Sequence, residues 1–111
     1  MNREETARKY NEQWFRGAPF GDPAADPEYE QLARRFLCGD VLPRGTLTQA
    51  QKALVILAGL IAGNLFPALR RYTRAALSAG ATPVEIKETV YQCAPYVGLE
   101  RARCALEEVN A

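Results

Sequence analysis

No histidine occurs among the 111 residues. That removes a Ser-His-Asp triad, a Cys-His pair, a histidine general base and any histidine-ligated metal. The thiols are Cys38, Cys93 and Cys104, too few and too scattered for a zinc site or a disulfide framework, so no metal is expected. Peroxide or disulfide chemistry needs a low-pKa thiolate with a resolving thiol close by. Only Cys93 and Cys104, on consecutive predicted helices either side of a corner, are candidates for such a pair; the plainer reading makes them small buried hydrophobes. Arg70, Arg71 and Arg74 share one helical segment, where an arginine can take a carboxylate through two parallel hydrogen bonds. Arg34-Arg35 and Arg70-Arg71 also read more plainly, as a solvated face or as ion pairs between subunits. Asp40, within Gly39-Asp40-Val41, can orient an arginine, cap a neighbouring helix or organise a turn.

The chain that must position these groups has the composition of an ordinary globular protein, 48% hydrophobic and 24% charged. Its 111 residues suffice for one core, so a single domain over 1–111 is expected, an N-terminal helix and loop over 1–25 and a core over 26–111. Eight residues of each charge sign fall in 1–55, and six positive and five negative in 56–111. Such an even mixture argues against a nucleic-acid partner, which would concentrate positive charge on one face. The polar start, Met1-Asn2-Arg3-Glu4-Glu5, has no apolar signal core, and a sparse, odd cysteine count fits a reducing compartment, so a cytoplasmic location is expected. The apolar run from Ala53 to Leu69 contains Gly59, Gly63, Asn64 and Pro67 and is too short for a bilayer, so no membrane partner is expected.

Helices emerge from caps and periodicity, and no strand does; the fold class is all-α with about five to six helices. Asn2 with Glu5 opens a helix to about Phe15, with Ala7, Tyr10 and Trp14 on one face. Residues 16–25, with Gly17, Pro19, Gly21 and Pro23, read as a loop. Asp26-Pro27 starts a helix bearing Tyr29, Leu32, Phe36 and Leu37, which Gly39 is expected to stop, leaving a loop over 40–47. Trp14, Phe20 and Tyr29 would close a pocket or seal the core. Thr48 and Gln51 make a capping box before Gln49 to Ala62, a helix apolar nearly all round that belongs at the centre of the fold or in a subunit interface. Pro67 begins the next helix, striped by Leu65, Leu69, Tyr72 and Ala76 and closed by Gly80. Thr82-Pro83-Val84-Glu85 is the cleanest helix start, and Ile86, Val90, Cys93 and Val97 line one face of the helix it opens. Pro95 and Gly98 would form a corner before a last helix marked by Leu99, Ala102, Leu106 and Val109.

From about Tyr29 to the C-terminus the chain resembles the carboxymuconolactone decarboxylases and their alkyl hydroperoxidase D-like relatives. Gly39-Asp40-Val41 with Arg44-Gly45-Thr46-Leu47 resembles the family's "GDVW-x-RPGLD" loop before a buried helix. Ala75-Ala76-Leu77-Ser78-Ala79-Gly80 with Thr82 to Glu88 is similar to "AALNAG-x-T-x-EEI-x-E", and Tyr91 to Gly98 to "YQ-x-APY-x-G". The resemblance implies an all-α domain assembling into trimers or hexamers, a small-molecule substrate and no cofactor. One branch decarboxylates a lactone; the other is a thiol peroxidase with a C-x-x-C-x-x-x-H motif. By register that motif falls on Leu65, Ala68 and Tyr72, none of which is the required residue, and the acidic position before that helix is apolar here.

Decarboxylation of a vinylogous keto-acid requires a group to stabilise the dienolate and an acid to reprotonate carbon. With Tyr72 in the place of the family's histidine, a phenol would donate the hydrogen bond or the proton, and Arg70, Arg71 or Arg74 would hold a carboxylate. The plainer reading of Tyr72 is a packing residue. Three functions thus stand side by side: a decarboxylase-like lyase with an altered site, a peroxidase centred on Cys93, and an oligomeric binding protein that keeps the fold without the chemistry. A pocket lined by Tyr72 and an arginine favours the first; a pocket packed shut favours the third.

Overall fold

A computed structural model describes residues 1–17 and 25–110, and the expected Phe20 packing lies outside them. Every regular element among the described residues is helical: α1 (Arg3–Phe15), α2 (Pro27–Arg34) running on as a π-helical segment (Arg35–Val41), α3 (Gln49–Ala62), α4 (Phe66–Ser78), α5 (Pro83–Val97) and α6 (Leu99–Val109). The chain forms two compact units, Met1–Leu47 and Thr48–Ala111. No helix among the described residues is long and apolar enough to cross a membrane.

In the first unit α1 packs on the π-helical segment. Asn2 Oδ1 accepts the Glu5 amide at 2.8 Å to start α1, and Arg16 in the left-handed region closes it. Asp26 accepts the Tyr29 amide at 3.1 Å, with Pro27 in the first turn of α2. Two ion pairs join α1 to the segment it rests on, Arg3 with Asp40 at 2.7 Å and Arg35 with Glu4 at 2.6 Å. Ala7, Trp14, Phe15, Cys38 and Leu42 are the buried apolar residues here, whereas Tyr29, Leu32 and Phe36 are exposed.

Gly39 does not stop the helix. The backbone widens to bonds reaching back five residues, such as the Leu42 amide to the Leu37 carbonyl at 2.8 Å, and carries on to Val41. Glycine eases the approach here: a Cβ at 39 would meet Arg3 Cγ at 3.2 Å and Ala7 Cβ at 3.5 Å. It lets α1 lie against the segment.

In the second unit α3 and α6 each pack on both α4 and α5, so the four helices succeed one another around the bundle as α3, α4, α6, α5. Both expected capping boxes are complete. Thr48 Oγ1 accepts the Gln51 amide and Gln51 returns to the Thr48 amide; Thr82 and Glu85 repeat the exchange for α5. The buried apolar residues of these helices are Ala53, Leu57 and Ile61 of α3, Leu69, Ala75 and Ala76 of α4, Ile86 and Val90 of α5, and Ala102 and Ala105 of α6. The alanines let α4 and α6 approach closely.

Three expected details change. α5 runs through Pro95, which has no amide to donate and stands two residues before the helix ends, so the corner is Gly98 alone. Its φ of 96° and ψ of 152° lie in a region essentially reserved for glycine. Leu65 precedes α4 and Leu99 opens α6, and both are exposed. Finally, α3 buries one stripe while Val55 and Gly59 face outward.

Candidate functional site

The α4 sequence buries Leu69, Thr73 and Ala76 at helical spacing, and Thr73 Oγ1 donates to the Leu69 carbonyl at 2.8 Å. Arg71 and Tyr72 fall at the edge of that stripe and are half-buried, whereas Arg70 and Arg74 are exposed. The spacing of Tyr72 with Leu69 and Ala76 predicts a stripe residue, but Thr73 takes that place.

The three arginines differ in their surroundings. Arg70 Nη2 lies 3.3 Å from Glu108 Oε2, tying α4 to α6. The Arg71 guanidinium carbon sits 5.4 Å from the centroid of the Tyr72 ring, within cation–π range. Arg71 Nε is shielded from solvent and has no hydrogen-bond partner. Arg74 stands in solvent.

Asp40 belongs to the first unit and is engaged with Arg3, the arginine-orienting role among its expected ones. Cys93 is half-buried on α5 and lines a groove of about 630 Å³ along α3 and α5, with Leu54, Ala58, Val84, Gln92 and Tyr96 among its walls. Neither Tyr72 nor any of the three α4 arginines lines that groove. Burial pushes the Cys93 thiol upward, opposite to what an activated thiolate requires. Cys104 is exposed on α6 and lines a different hollow, with Asn64, Phe66 and Arg101. Cys38 is fully buried; desolvation pushes its thiol up to about 11, with Arg34 pulling weakly the other way.

A buried charged residue also escapes the sequence reading. Lys52 is buried on α3. Its position inside an otherwise apolar helix was the available signal, since a lysine there must either snorkel or find a partner.

Residues 27–111 match the family model described as the Carboxymuconolactone decarboxylase family. The chain is also 32% identical over 79 residues to a 4-carboxymuconolactone decarboxylase of Acinetobacter baylyi. That match covers 71% of this chain and spans 59% of the relative's length.

Proposed function

Because the chain belongs to the carboxymuconolactone decarboxylase family, we propose that it is a decarboxylase-type lyase acting on a small carboxylate- or lactone-bearing substrate through an altered site. The single observation that carries this reading is the Arg71 guanidinium over the Tyr72 ring, a cation and a phenol together at the edge of the α4 core. In the proposed reaction an α4 arginine holds a substrate carboxylate. The C–C bond to the departing carboxyl breaks, carbon dioxide leaves, and the electron pair passes into the conjugated carbonyl as a dienolate. Tyr72 donates a hydrogen bond to that oxyanion or its proton to carbon, and water restores the phenol. Asp40 orients Arg3 within the first unit and is assigned no step in this reaction. Neither a metal nor a cofactor is invoked.

The peroxidase reading would put the chemistry on Cys93, whose raised thiol does not favour it. We also propose a cytoplasmic homo-oligomer, trimeric or hexameric; the exposed apolar side chains of Tyr29, Leu32, Phe36 and Val55 support self-association.

Carbon dioxide release from a panel of carboxylated enol-lactones and vinylogous keto-acids tests the reading. The wild type should release it, and Tyr72→Phe should lose roughly 10²-fold or more of the rate with an unchanged melting curve. A wild type inert to the whole panel would leave the non-catalytic binding protein as the better account.

A further inference from the structure

Three arginines on α4 could serve an anionic ligand, and their surroundings separate them. Arg70 would have to give up Glu108, 3.3 Å away. Arg74 is surrounded by water, where a single ion pair is weak and screened by salt. Arg71 is different. Its Nε–H is removed from solvent, has no acceptor, and belongs to a cationic group. A sequestered donor of this kind is unfavourable and calls for an explanation, because burial removes its water without supplying a replacement.

We propose, building on the decarboxylase reading, that Arg71 is the specificity-determining residue and that its Nε edge takes one carboxylate of a small ligand. A guanidinium offers Nε–H and one terminal N–H as a parallel pair, and a carboxylate fits that fork. The guanidinium carbon already sits 5.4 Å from the Tyr72 ring centroid, and the unpartnered Nε edge is its recognition element. The side chain as a whole is half-buried, so a rotation of its outer torsions brings the edge to an incoming oxyanion. That rotation gives up no hydrogen bond made by Nε. Arg70 is exposed and has no buried, unpartnered donor of this kind. With one cation at the edge, the group taken there is a singly charged carboxylate in preference to a doubly charged phosphate. Contact with a ligand here also places its carboxylate beside the phenol assigned the proton, so recognition and chemistry share two consecutive residues.

The direct test tracks the arginine Nε–H signals of the full chain by ¹⁵N NMR while benzoate, and separately inorganic phosphate, is added. The Arg71 resonance, identified by its loss in Arg71→Lys, should move with benzoate and saturate. Arg71→Gln should weaken benzoate binding by roughly tenfold or more, and Arg71→Lys by less, since it keeps the charge and loses the fork. Arg70→Gln and Arg74→Gln should each weaken it by less than Arg71→Gln does. Melting curves check that each variant is folded. An unmoved Arg71 signal, an equal or larger effect from Arg70→Gln or Arg74→Gln, or tighter binding of phosphate overturns the proposal. Saturable, Arg71-dependent benzoate binding without carbon dioxide release would sustain this inference while removing the decarboxylase reading. Turnover indifferent to Arg71→Gln would do the reverse.

Discussion

Arg70 Nη2 and Glu108 Oε2 meet at 3.3 Å, joining the middle of α4 to the end of α6. The pair is partly solvated, with side-chain exposures of 53% and 33%. Its contribution to stability is accordingly small, about 0.2–1 kcal/mol, and falls as salt is added. Arg70→Gln should lower urea-unfolding stability by that amount at low ionic strength, and the difference should shrink in concentrated salt. A loss of several kcal/mol would mean that the pair carries more of the α4–α6 contact than its exposure allows.

The Cys38 thiol gives stability a defined dependence on pH. Its folded value is raised to about 11 from an ordinary value near 9, because ionisation inside the first unit would place a charge away from water. The folded state therefore holds its proton where the unfolded chain releases it. The contribution is fully present below about pH 9 and is lost as pH rises from 9 towards 11, by about 2 to 3 kcal/mol at most. Urea unfolding of the wild type and Cys38→Ala, compared at about pH 8 and about pH 10.5, isolates this from other alkaline titrations. The wild type should lose more stability between the two than the variant does.

Thiol reactivity should track exposure. Cys104 is exposed, Cys93 half-buried with its thiol raised, and Cys38 fully buried. A disulfide reagent at about pH 8 should modify Cys104 first, Cys93 more slowly and Cys38 only on unfolding. Mass spectrometry of the modified peptides reads the order. A Cys93 faster than Cys104 would revive the peroxidase reading.

Gly39 and Gly98 should respond differently to substitution. At Gly39 an added methyl meets Arg3 and Ala7 at 3.2 and 3.5 Å, a mild conflict that a better helix propensity offsets, so Gly39→Ala should be near neutral. Gly39→Leu should destabilise by about 1–3 kcal/mol through overpacking. Gly98→Ala meets open space but must hold a φ of 96°, so it should also lose about 1–3 kcal/mol. Thermal unfolding of the three variants checks the contrast.

The helix starts were legible in the sequence because capping is local chemistry. Thr48 with Gln51, and Thr82 with Glu85, lie three residues apart and satisfy each other's amides whatever the rest of the chain does. The family was legible for a related reason, since its loops and caps recur at fixed spacing around Gly39-Asp40-Val41 and Thr82 to Gly98. The roles of neighbouring residues were not. Arg70 and Arg71 are identical in type and adjacent in sequence, yet one is engaged by Glu108 from another helix and the other rests on a ring with a donor unmet. Gly39 looked like a terminator because glycine commonly ends helices, but its value comes from Arg3 and Ala7 of α1. Periodicity assigns a residue to a face of its own helix; what that face touches depends on which helices fold against it.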